Sequence, residues 1–153
     1  MLDKNKGGSF SILPEGVFSS HQYYIENTNV LCTEITHEDG IYKITDFAPR
    51  FNQYERNYKP LMLVRKIEPL TGSPRIKIKC EPVYQYGEGS YISHRGSNHI
   101  EFEGEAEKLR LTTNIPINYL YDEKYFVLNE VKYVVLTYGQ HLEAPLQSTV
   151  ENF

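Results

Sequence analysis

Residues 63–87, LVRKIEPLTGSPRIKIKCEPVYQYG, hold two alternating runs on either side of a turn signal, TGSP. Alternation with period two sends successive side chains to opposite faces of a strand. In RIKIKCEPV (75–83), Ile76, Ile78 and Cys80 face one way, and Arg75, Lys77, Lys79 and Glu81 the other. One buried and one wet face is the signature of an antiparallel sheet solvated on one side. The lysines also suit an edge strand, where charge discourages pairing with another chain. The stretch therefore reads as a hairpin with one greasy face. Arg65 and Glu68 have opposite parity, so each is expected to find a cross-strand partner.

The same alternation runs through the rest of the chain. SFSIL (9–13) is a short strand closed by Pro14, Glu15 and Gly16, and VFSSHQYYIE (17–26) is an extended run stopped at Asn27. NVLCTEITH (29–37) and IYKITDF (41–47) flank Asp39-Gly40, a hairpin signal because glycine accepts the positive φ that tight turns require. RFNQYERNYKPL (50–61) is polar and aperiodic and reads as a surface loop. YQYGEGSYISHRGSNH (84–99) is rich in Gly and Ser, with one short strand at most. IEFEGEAEKLRLTTN (100–114) is strand, turn and strand, and Pro116 beyond it suits an edge or a strand start. YFVLNEVKYVVLTYG (125–139) reads as a last hairpin around Asn129-Glu130. In residues 142–153, Ser148 and Glu151 are spaced as a capping box, so a short helix is expected to start at the C-terminus. About ten short strands with regular turns predict an all-β fold, an antiparallel β-sandwich over 1–141.

The 153 residues suit one domain, and the 13 tyrosines and 7 phenylalanines favour strands. A net charge of −4, with scattered basic residues, gives no footprint for nucleic acid or an anionic membrane surface. No apolar run reaches the ~20 residues of a membrane helix. MLDKNKGGSF lacks the apolar core of a secretory signal, so the expectation is a cytoplasmic protein, or an N-terminus that is not the natural one. Cys32 and Cys80 belong to no ligand cluster and are expected as free, buried thiols.

Candidate chemistry is sparse. Among five histidines the closest pair is His94 and His99, and loop histidines bonded to neighbours are the simpler account, so no metal site is expected. No G-x-S-x-G elbow and no phosphate-binding loop occur, and no catalytic residue or cofactor is assigned. Asp46 in TDFAPRF is the best single carboxylate, four residues before Arg50. The structural reading has Asp46 capping the strand end, with Arg50 as its partner. The tyrosine excess raises a sugar-stacking surface as an alternative, although tyrosine also fills sheet margins with its hydroxyl in water.

Several segments together carry a resemblance: GGSFSILPEG, TNVLCTEITHEDGIYKITDFAPR, LVRKIEPLTGSPRIKIKCEPVYQYG and YFVLNEVKYVVLTYG, in this order. They resemble the N-terminal domain of bacterial and archaeal glycoside hydrolases of the glucoamylase family (family 15), which includes glucoamylase-like and trehalase-like enzymes. The resemblance implies a large β-sandwich, or supersandwich, followed by an (α/α)6 barrel that holds both catalytic carboxylates of an inverting reaction. Residues 142–153 would then start the linker to that barrel. No catalytic position of the family has a counterpart here, so the chain alone is expected to be inactive and to support the barrel, with Asp46, Arg50 and Tyr86 at the domain interface. The resemblance also implies α-glucan or trehalose as substrate of the whole enzyme. The family's opening strand pair has no counterpart before Met1, so the resemblance implies an unpaired sheet edge, and self-association through that edge is an expectation.

Overall fold

The computed structural model describes residues 5–53, 55–58 and 61–139, with only the backbone course for 51–53 and 56–58. The expected C-terminal helix and linker lie outside the described residues. In chain order the strands are β1 (Ser9–Pro14), β2 (Ser19–Tyr24), β3 (Leu31–His37), β4 (Gly40–Phe47), β5 (Phe51–Gln53), β6 (Arg56–Tyr58), β7 (Met62–Gly72) and β8 (Arg75–Glu81). They continue as β9 (Val83–Tyr84), β10 (Gly89–Ser90), β11 (Ile92–Arg95), β12 (His99–Glu103), β13 (Lys108–Thr113), β14 (Phe126–Val127) and β15 (Lys132–Tyr138). One short helix, α1 (Ile117–Tyr121), precedes β14.

Two antiparallel layers make a lopsided sandwich. The large sheet has eight strands in the order β11-β12-β13-β15-β7-β4-β3-β2, and the small sheet has three, β1-β8-β14. Two short ribbons, β5-β6 and β9-β10, complete the strand set among the described residues. The core lies between the layers. Ile12, Ile76, Ile78 and Phe126 from the small sheet meet Ile35, Tyr42, Ile44, Ile67, Ile100, Leu111 and Val134 from the large one. Each such aliphatic side chain contributes about 1.5–3 kcal/mol on leaving water.

The 29–47 hairpin and the 100–114 hairpin form as the sequence predicts, as β3-β4 and β12-β13. The opening stretch does not. β7 pairs on one side with β4 and on the other with β15, so neither flank is free for β8. The chain instead crosses at Gly72–Pro74 to the other layer, where β8 is the central strand between β1 and β14. β14 reaches only Arg75 and Ile76, so from Lys77 onward the flank of β8 away from β1 has no strand partner among the described residues. Lys77 lies 4.9 Å and Arg75 5.6 Å from the centre of the Tyr125 ring.

The 125–139 segment departs from a hairpin in the same way. β14 pairs with β8 in the small sheet and β15 with β7 and β13 in the large one, and buried Leu128 plugs the crossing. Alternation reports that a strand has a greasy face. It does not say whether the next strand lies beside it or opposite it.

Three further expectations are corrected. The 50–61 loop contains the β5-β6 ribbon, and 84–99 holds β10, β11 and the start of β12 rather than one strand. Pro116 starts α1 as its N-cap residue, not a strand. Pro69 stays inside β7 because a bulge accompanies it: Ile41 faces Thr71 and Tyr42 faces Pro69, leaving Leu70 as the extra residue.

Candidate functional site

The residues with the strongest chemical character sit where the two layers are tied. Asp46 on β4 and Arg65 on β7 are register partners with side chains on the inner face. The guanidinium grips the carboxylate with both ends, Nε to Oδ1 at 2.8 Å and Nη2 to Oδ2 at 3.1 Å. Its remaining arm, Nη1, donates to the Phe10 carbonyl on β1 at 2.6 Å, and the Phe10 ring lies 4.7 Å below the guanidinium carbon. Arginine's planar fork suits this use, because its donors diverge in a fixed plane while its face stacks on an aromatic ring.

Tyr42 makes a second tie from the same strand as Asp46, β4, to the same strand as Phe10, β1. It is fully buried and its hydroxyl donates to the Ile12 carbonyl at 3.1 Å. Burial pushes this hydroxyl far above the usual tyrosine range. Phe10 and Ile12 are two apart on β1, so their carbonyls point to the same side of the strand. With β8 on its other side, the outer edge of β1 is stoppered by side chains from the large sheet.

Towards the other end, the three-stranded layer is too narrow to cover the eight-stranded one, and a cavity of about 380 Å³ remains. Ile78, Cys80, Ile100, Phe102, Leu111 and Leu120 form its apolar walls. Glu81, Ser90, Tyr91 and Glu123 stand at its polar mouth. Tyr91 donates to Glu107 Oε2 at 2.9 Å and meets Tyr84 edge-on at 5.0 Å between ring centres. Partial burial, helped by the Glu107 carboxylate, pushes the Tyr91 hydroxyl up to about 12. Burial likewise pushes the Cys80 thiol up to about 12, which keeps it protonated and unreactive at neutral pH.

The three residues expected at a domain interface occupy different settings. Asp46 is turned inward, and its partner is Arg65, not Arg50; cross-strand register brings Arg65 opposite it. Arg50 is exposed, just after buried Pro49. Tyr86 is fully exposed on a turn, Gln85–Gly87, whose three residues all have positive φ (51°, 57° and 91°). Two consecutive non-glycine residues in the left-handed region are costly, about 1–2 kcal/mol each, and such strain gathers at working surfaces.

Glu68, by contrast, finds the expected cross-strand partner, Lys43, at 3.5 Å. Both cysteines are free thiols. His94 contacts Glu103 at 3.3 Å and His99 contacts Arg110 at 3.1 Å, and among the described residues no His, Cys, Asp or Glu group has a metal-binding arrangement. The Phe10–Arg65 tie and the cavity were not foreseen from the sequence. The one signal was Arg65 sharing parity with Leu63 and Ile67, a charge on an otherwise apolar face.

The chain is 32% identical over 120 residues to a trehalase of Thermoplasma volcanium, covering 76% of this chain and 19% of that protein. It is 29% identical over 148 residues to a trehalase of Thermoplasma acidophilum, covering 92% of this chain and 25% of that protein. No protein-family model matches the chain, and no solved structure matches it. The chain thus spans about a fifth to a quarter of the length of the curated relatives it matches, and over most of its own length it is a distant homologue of archaeal trehalases.

Proposed function

We propose that this chain is the accessory β-sandwich domain of a glycoside hydrolase of the glucoamylase family, acting on trehalose or short α-glucans through a catalytic (α/α)6 barrel elsewhere on the parent polypeptide. The observation that carries this reading is the extent of the homology: 92% of the chain aligns, but with only 25% of a trehalase. The chemistry of the domain supports it. The Asp46–Arg65 pair, its best acid–base candidate, is committed to joining the two layers. Tyr86, held out on a strained turn, and exposed Arg50 are the side chains assigned to the barrel contact.

Purified chain incubated with trehalose, maltose and short α-glucans is expected to release no glucose, and turnover that follows the protein through successive columns would defeat the proposal. The second reading is α-glucan binding through surface tyrosines, favoured by the full exposure of Tyr86 and the 67% exposure of Tyr24. Electrophoresis through starch or dextran gels separates the two, because a support domain migrates unretarded and a binding module is slowed.

A further inference from the structure

The edges of the two sheets are treated differently. The β1 edge is stoppered by Arg65 and Tyr42. At one end of the large sheet, β11 is four residues long and carries Arg95, which bonds Asn118 at 2.8 Å and stacks on Tyr121. At the other end lies β2, six residues long and exposed at every position. From Val17 to Ile25 the sequence VFSSHQYYI contains no Lys, Arg, Asp, Glu or Pro. Natural edge strands are normally blunted by such residues. Exposed Val17, Phe18, Tyr23, Tyr24 and Ile25 add apolar surface to the same edge.

The backbone groups this edge offers can be identified. The Ile25 amide donates to the Val30 carbonyl, and the β2-β3 register places Ser19, His21 and Tyr23 in phase with Ile25. Antiparallel ladders alternate, so these residues bond β3, while the N–H and C=O groups of Ser20, Gln22 and Tyr24 point away from the sheet.

We propose that β2 pairs antiparallel with β2 of a second copy, about a two-fold axis through Gln22, joining the two large sheets into one. In this register Gln22 faces its own mate and Ser20 faces Tyr24 of the other copy, each pair exchanging two backbone bonds. All three outward residues are used. His21 falls opposite Tyr23 rather than opposite itself, extending across the seam the ring contact already present within one copy at 5.6 Å. The serines at one end of the strand meet the larger Tyr24 and Ile25 at the other, small against large. A two-fold interface sets the same strand on both sides of the seam, with Gln22 against its own copy on the axis, and a strand without formal charge meets no like-charge penalty there.

Sedimentation velocity of the 153-residue chain over a concentration series tests this. The wild-type chain is expected to dimerise reversibly. Gln22→Lys and Gln22→Glu, each placing like charges on the axis, are expected to weaken association at least about tenfold. An equimolar mixture of the two variants should restore it. Tyr24→Lys, at an exposed position, supplies the same readout if a Gln22 variant fails to fold. A wild-type chain that stays monomeric at its highest attainable concentration overturns the proposal. So does a dimer that the charged variants leave intact, or a mixture that fails to pair.

Discussion

Two turns lie against each other at one end of the molecule and send the chain in different directions. Asp39-Gly40 returns β3 into β4 in the same sheet, while Gly72-Ser73-Pro74 carries β7 across to β8 in the opposite one. They touch: Gly40 pairs with Gly72, and the Ser73 amide donates to the Asp39 carbonyl at 3.0 Å. Both are glycine turns between alternating strands. They differ in what surrounds the strand that enters them. β3 has a flank free to receive β4, whereas both flanks of β7 are taken, one by β4 and one by β15 from the far end of the described chain. A turn makes a hairpin only when its first strand still has an open side.

If the crossing depends on ties between layers, cutting one should cost more than cutting a pair within a sheet. Arg65→Ala leaves the largely buried Asp46 carboxylate and the Phe10 carbonyl unpartnered and is expected to destabilise by about 3 kcal/mol or more. Glu68→Ala, which removes the Lys43 contact on the outer face of the same two strands, is expected to cost about 1 kcal/mol or less. Urea unfolding of both variants measures the contrast, and equal losses would show that the ties between layers carry no special weight.

The junction of the two turns comes next. Gly72 has φ +66°, and a Cβ there would stand 2.5 Å from the Asp39 carbonyl oxygen, whereas Gly16, at φ +83°, has open space around it. Gly16→Ala should cost only left-handed strain, about 1–2 kcal/mol. Gly72→Ala should exceed it, because the neighbouring hairpin must also move. Thermal melts of the two variants rank them. Tyr42→Phe, which deprives the Ile12 carbonyl of its donor, is expected to cost about 1–2 kcal/mol in the same melts.

The last effect is confined to alkaline pH and vanishes at neutrality. Folding raises Cys80 from 9.0 and Tyr91 from 10.0, each to about 12, so the folded state holds protons that the unfolded chain has released. Stability from these groups is whole below pH 9 and declines as pH rises towards 12. Cys80→Ala should flatten the early part of that decline and Tyr91→Phe the later part, read from urea midpoints across the pH range.

Much of the candidate site was legible only in pieces. Parity placed Arg65 and Glu68 on opposite faces and predicted a partner for each, and both have one. That Asp46 pairs with Arg65 rather than with nearby Arg50 follows from register, which is fixed by the bulge at Leu70 and the hydrophobic match along β4 and β7. The cavity could not be read at all, because it arises from a mismatch in width between two sheets whose membership depends on long-range pairing.

The sequence by itself determined the local facts: short strands with a greasy and a wet side, a tight hairpin at Asp39-Gly40, free thiols and antiparallel β architecture. Side-chain alternation and turn chemistry act over a few residues, so those features are written where they occur. The tertiary structure alone decided which strands became neighbours and which became opposites, and with that the Arg65 clamp, the hollow beneath β8 and the bare edge at β2. Strand flanks are filled by competition among the whole set, and a strand near residue 135 settles the fate of a turn near residue 73.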